Sequence, residues 1–210
     1  MTRGDRQQLP APRNYWMMVL PLDNWRITRA HGFTVQGFSN VHKKKVERME
    51  LGDRLMFYLG DARKFGSTAS ISGKYFEERA ALWRPETPNE LYPHRVRIVP
   101  QMVLEEPELI DAFQLAPRLE YVRKWPPEDW PLALLGQLHL IPKKDFLLIE
   151  EEMRKLIMAR RRATRPVFPR AAGPQPVAQR AAPAPPAAAT ATEAPFEPPS
   201  ITVVTDGVDG

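Results

Sequence analysis

The chain reads as an α+β protein, a mixed β-sheet flanked by short helices and followed by a Pro/Ala-rich tail. Three observations predict this. Runs with strand character recur between Asn14 and Pro142, apolar throughout or alternating with polar residues. One long amphipathic pattern, Lys143–Arg162, closes that region. Ten of the 23 prolines then fall between Arg165 and Ser200, in a composition that buries too little apolar surface to offset chain entropy. The expected organisation is a flexible leader over 1–13, a folded domain over 14–162 and a disordered tail over 163–210. Ile201–Thr205, ITVVT, is a β-prone patch within that tail with no assigned purpose.

The elements follow in order. Asn14–Leu20, NYWMMVL, is a strand ended by Pro21, with Trp16 in the core. Leu22, Trp25 and Ile27 sit among turn residues as a short helix. Gly32–Asn40 reads as a loop. Ser39 and Asn40 are good N-cap residues, and Val41, Lys45, Val46 and Met49 share one face of a short helix. Gly52, after Leu51, suits its C-cap. Arg54–Leu59 is a buried strand, and Gly60–Gly66, GDARKFG, a turn bounded by glycines. Ser67–Glu78, STASISGKYFEE, alternates as a half-buried strand does. Ala80–Arg95 contains a loop with three prolines, opened by Trp83. Arg95–Ile98 alternates with one charged face, and Pro100 marks an edge or bulge. Pro107 and Pro117 open short helices. GQLHLIP is a last strand. In the final helix Phe146, Ile149, Met153, Leu156 and Ile157 form the apolar stripe, and Arg160–Arg162 complement the helix dipole.

Composition narrows the function. The absence of cysteine removes disulfides, thiolate nucleophiles and Cys-ligated zinc, and fits a cytoplasmic protein. No run reaches the ~18 apolar residues of a membrane span. Net charge is +5, and Arg154–Arg180 holds all eight basic residues of 151–210. That block is either a solvated helix end or a phosphate contact. His31, His42, His94 and His139 show no metal-ligand spacing, nothing matches a phosphate-cradling loop, and Glu77–Glu78 point to opposite faces. No metal, cofactor or catalytic set is expected, so the chain reads as a binding protein.

Two loops carry the binding reading. Phe33, Gln36, Phe38, Ser39 and Asn40 combine aromatics with amides and hydroxyls, which suits a planar polar ligand such as a nucleobase. Small residues over Gly66–Ser72 let other groups approach the backbone. Trp83, in a polar, Pro-rich loop, is either a stacking residue or a lid over the core. The other reading takes Phe33 and Phe38 as core residues, with the polar ones as caps. Lys43, Lys44 and Lys64, with Arg95, flank these loops as phosphate contacts or as ordinary solubilising charges.

NYWMMV, the GF followed by KKKVERMELGDRLMFYL, KFG, the small-residue strand, YPHRV and GQLHLIPKKDFLLI together resemble an EVE domain, a member of the PUA-like superfamily related to YTH and ASCH domains. The resemblance covers 14–150. It implies a small, strongly bent mixed β-barrel and binding of a modified base, flipped into a pocket, most often in DNA. YTH relatives hold N6-methyladenine in an aromatic cage. By position, one cage tryptophan falls near Gln36–Ser39, where Phe38 or Phe33 substitutes, and the second falls at Trp83. Lys64 and Phe65 come to the mouth, with Gly66 and Ser67 on the wall. The missing tryptophan leaves a modified cytosine open beside methyladenine. The alternatives are a PUA-like module binding tRNA or rRNA, and a protein-interaction adaptor using its tail. An ASCH-like hydrolase lacks an acid/base pair.

Overall fold

The structure, a computed structural model, describes residues 9–164. The start of the leader and the expected disordered tail from Arg165 onward, with its basic residues and Ile201–Thr205, lie outside the described residues; Ala163, expected in that tail, ends the last helix.

Strand β1 (Tyr15–Leu20) runs parallel to β3 (Arg54–Leu59), in register from Tyr15 with Arg54 to Leu20 with Leu59. It is also antiparallel to β8 (Leu138–Leu140). On the other side, β3 pairs with β4 (Lys64–Ile71), β4 with β6 (His94–Val103), and β6 with β2 (Val35–Phe38). The order β2-β6-β4-β3-β1-β8 is extended by β5 (Phe76–Glu77) on β6 and β7 (Ile110–Asp111) on β4. The result is a curled mixed sheet, a half-barrel carrying short helices.

Alternation within the strands explains why β1 and, after Arg54, β3 are apolar at every position. Tyr15, Met17, Met56 and Tyr58 enter one core cluster with Phe146, Ile149 and Met153. Trp16, Met18, Leu20, Leu55, Phe57 and Leu59 enter a second cluster with Trp25, Phe33 and Phe38. A sheet covered on both faces needs continuous apolar runs. Helix α1 (Leu22–Ala30) supplies Trp25 to the second cluster. The long helix, Lys143–Ala163, supplies Phe146, Ile149 and Met153 to the first. Its Glu150 is salt-bridged to Arg54, whose guanidinium lies 5.2 Å from the Phe146 ring centroid. Asp145 accepts the backbone N–H groups of Glu120 at 2.9 Å and Tyr121 at 2.7 Å.

Several expectations are corrected. The segment Gly32–Asn40 is not all loop, because β2 lies within it. Its four residues include Gln36 and Gly37, so no period-two pattern marks it, and pairing with β6 forms it instead. The helix expected from Ser39 to Leu51 is a 3-10 turn, Asn40–His42, followed by α2 (Lys43–Val46) alone. Val41 is 87% exposed, and only Val46 and Met49 are buried, too little packing to hold more turns. The turn from Gly60 ends at Arg63 (φ +53°), and β4 begins at Lys64. The helix expected from Pro117 is a 3-10 turn, Ala116–Arg118, and irregular chain. The helix expected from Pro107 is likewise a 3-10 turn, Glu106–Glu108, followed by β7, and only α3 (Ala112–Leu115), capped by Asp111, is α-helical there. Pro100 sits where the β4–β6 register shifts, beside the pair Thr68–Met102, as a proline inside a sheet requires.

Asp53, fully buried, joins the start of β1 to the start of β3. Its carboxylate accepts N–H groups from Asn14 at 2.9 Å (backbone) and 3.0 Å (side chain), Trp16 Nε1 at 3.0 Å, Arg13 at 3.3 Å and Glu50 at 3.2 Å. Arg13 and its neighbours are drawn onto the domain as well, since the Pro10 carbonyl sits against Gly52 (φ +88°) where a Cβ would stand.

Candidate nucleic-acid interface

Helix α1 positions the polar floor of the site. The Asp61 carboxylate, from the turn after β3, accepts the Leu22 N–H at 3.0 and 3.1 Å, which caps the helix and favours its positive N-terminal end. Asn24, Trp25 and Thr28 face inward and are buried. Trp25 Nε1–H donates to Ser67 Oγ at 2.9 Å. Thr28 Oγ1 accepts from Trp83 Nε1–H at 2.8 Å and lies 3.0 Å from the Asn24 carbonyl and 3.3 Å from Gln36 Oε1. The Asn24 amide clamps the backbone of Arg84, accepting its N–H at 2.8 Å and donating to its carbonyl at 2.9 Å. Arg84 also forms an ion pair with Asp23.

Trp83 is thereby held in a slot and is 6% exposed, so the structure takes the reading of a lid over the core and corrects that of a stacking residue on a pocket wall. One side rests on Gly37, where an added Cβ would overlap the indole and come within 2.7 Å of the Tyr92 carbonyl. The Arg95 guanidinium lies 5.1 Å from the ring centroid, and Tyr92 meets the indole edge-on at 6.2 Å. Only a glycine admits the ring this closely at position 37. Gln36 Nε2–H donates to the Gly37 carbonyl at 2.9 Å. Burial pushes the Tyr92 hydroxyl up to about 12.

The structure therefore brings Gln36, Ser67 and Trp83 together through Thr28 and Trp25. It leaves Phe33, Phe38 and Phe65 elsewhere. Phe33 packs edge-on against Phe57 at 5.5 Å, and Phe38 and Phe65 are fully buried in separate clusters. For Phe33 and Phe38 it takes the core alternative, and Phe65, expected at the mouth, is corrected to a core residue packed on Tyr58. Gly66 backs onto the Trp25 ring. Arg95, expected at the surface, is 2% exposed, ion-paired with Glu78 at 2.6 Å and bonded to the Ala80 and Tyr92 carbonyls. In this conformation it faces protein carbonyls and the Trp83 ring, so it offers no contact to a phosphate.

Ser39 and Asn40 lie at the rim. The Ser39 N–H donates to Gln137 Oε1 at 2.9 Å, and Asn40 Oδ1 is 3.0 Å from His94 Nε2. His94 Nδ1 is 2.9 Å from the Tyr75 hydroxyl, which donates to Glu77 at 2.5 Å. Lys43 Nζ binds the same Glu77 oxygen at 2.7 Å. The Lys43 ammonium, then the Tyr75 hydroxyl, hold the Glu77 carboxyl at about 2. Lys44 is exposed and Lys64 half-exposed. Among the described residues no group of three or more His, Cys, Asp or Glu is placed to hold a metal, and no helix is long and apolar enough to cross a membrane.

Sequence reasoning missed Asn24, Thr28, Gly37 and Tyr92. The four-residue spacing of Asn24 and Thr28 was a signal that both share a helix face. Nothing in the sequence announces that Gly37, on β2, and Tyr92, just before β6, both meet Trp83.

No family model matches the chain. The UPF0310 proteins of Pyrococcus abyssi and Pyrococcus horikoshii align with it at 25% identity over 146 residues and 23% over 148 residues. Each match covers 65% of this chain and 97% of the relative. Among solved structures, the Pho92 YTH domain, determined in complex with m6A, superposes with a TM-score of 0.51 at 13% identity, covering 70% of this chain and 91% of that domain. The chain shares its curled mixed-sheet fold with that YTH domain.

Proposed function

We propose that this chain is a non-catalytic, EVE-type module that binds a modified base in nucleic acid, with DNA as the favoured partner. The observation that carries the reading is the curled mixed-sheet fold, which a domain determined with m6A shares. The Trp83 indole, bonded to Thr28 and covered by Gly37, Tyr92 and Arg95, leaves no free face for a base and instead anchors its loop at one rim of that sheet. Lys44, and Lys43 once drawn from Glu77, offer the charge for backbone contact. A hydrolytic role finds little support. The buried carboxylates of Asp53, Asp145 and Glu150 are all engaged, by N–H groups or by Arg54.

The test is an affinity panel of DNA and RNA oligonucleotides carrying 5-methylcytosine, 5-hydroxymethylcytosine or N6-methyladenine, each beside its unmodified parent. A preference of about tenfold or more for one modified strand, equivalent to about 1.4 kcal/mol, is the expected result. Equal affinity for every modified strand and its parent would overturn the proposal. Stronger binding to the RNA series would redirect it to RNA.

A further inference from the structure

The Trp83 slot is full, but the same loop also lines an open cleft. It has a volume of about 420 Å³ and sits at the C-terminal ends of β1 and β3, between Val19, Tyr58 and Gly60 on one side and Leu134–Gln137 on the other. Glu86, three residues beyond Trp83, and Arg63, from the β3–β4 turn, complete it. The size is that of a small-molecule site.

Its polar groups are unevenly committed. Gln137 Oε1 is taken by the Ser39 N–H at 2.9 Å, and no bond to the Gln137 amide N–H groups is made among the described residues. Nor does the Tyr58 hydroxyl find a hydrogen-bond partner among the described residues, and burial pushes its pKa up. The Glu86 carboxylate accepts from the Tyr92 hydroxyl at 3.2 Å, which leaves acceptor capacity. Burial raises the Glu86 pKa against that hydrogen bond, and Asp61 and Glu90 add to the rise. Leu134 and Leu135 provide apolar wall, and Leu135 is 69% exposed at the rim.

From this arrangement we infer that the cleft is a nucleobase site selective for an edge that carries an amino group beside a carbonyl, the edge of cytosine and guanine. The carboxylate of Glu86 takes the amino N–H, while Gln137 and Arg63 donate to the carbonyl. The opposed charges of Arg63 and Glu86 favour a neutral ligand over an anion or a cation. Adenine offers no carbonyl to the donors, and thymine and uracil offer no amino group to Glu86. Trp83 then serves as the anchor of the loop that presents Glu86. This inference rests on the base-binding reading and moves the base from the filled slot to the open cleft.

Two measurements on the full-length protein test it. The first titrates 5-methyl-2′-deoxycytidine and thymidine into isotopically labelled protein and follows the Gln137 side-chain amide by NMR. A saturable shift with the cytidine and none with thymidine is expected. The second repeats the oligonucleotide panel with Glu86→Gln and Gln137→Glu, which keep the Tyr92 and Ser39 contacts but remove the carboxylate and the amide donors. Each should lose about tenfold or more of affinity for the preferred modified strand, with the melting temperature unchanged. If the unaltered protein discriminates modified strands and both variants do so equally well, the cleft assignment falls and the function stands. If no strand is discriminated yet the cytidine shifts Gln137, the function falls and the cleft stands. A Gln137 amide that responds to neither nucleoside, or to both alike, overturns the cleft assignment.

Discussion

Trp83 and Gly37 form a matched pair, and each predicts the behaviour of the other. Trp83→Ala removes a nearly buried indole together with its bond to Thr28, and should lower stability by about 3–5 kcal/mol. Gly37→Ala should be destabilising by about 1–3 kcal/mol, because its Cβ meets the indole and the Tyr92 carbonyl. The double variant should lose less than the sum, since removing the indole relieves most of that overlap. Urea denaturation of the three variants checks this; strict additivity would show that the two positions do not touch. The pair also explains why the site was only partly legible. A tryptophan among prolines was readable either as a stacking residue or as a lid, and what decides between them comes from β2 and β6. Arg95 was misplaced for the same reason. Alternation put it on a charged face, and that face turns out to be closed by Glu78, the Ala80 carbonyl and Trp83.

The long helix and the short strands behave differently. Lys143–Ala163 was legible because its stripe repeats over several turns, and its Phe146 is fully buried in the larger cluster. Phe146→Ala should therefore be destabilising by about 3–5 kcal/mol, measured by thermal or denaturant unfolding. Strands β2, β5 and β7 have two to four residues, and so short a run holds no period for a pattern to show. They exist because β6 and β4 present unpaired backbone to them. The contact between α2 and β5 rests on Lys43 and Glu77. The Glu77 carboxyl sits at about 2 against an ordinary value of 4.5. A depressed carboxyl stabilises the fold above its unfolded value, and the contribution fades as pH falls through the folded value. Glu77→Gln should thus melt below the parent at pH 6 and converge with it near pH 2. A constant gap in melting temperature across that range would show that the carboxylate contributes nothing. Added salt should narrow the gap at pH 6, because both partners are half-exposed.

Taken as one body, the domain places its first strand in the interior of the sheet. β1 pairs with β3 on one side and with β8 on the other, so the segment made first is enclosed by one of the last. The order of synthesis and the order of assembly therefore run against each other. During translation the apolar strand Tyr15–Leu20 emerges long before Leu138–Leu140, and the helix that roofs Tyr15 and Met17 comes later still. Non-local pairings of this kind slow folding and leave apolar surface open in the interval. Ribosome-bound chains stalled after Ile110 should remain open to protease cleavage. Chains stalled well beyond Thr164 should resist it. Protection already complete in the shorter chains would mean that β1 finds its place without β8. The same geometry makes the nascent chain a client for chaperones: its most apolar strand waits on the ribosome for a partner encoded more than a hundred residues downstream.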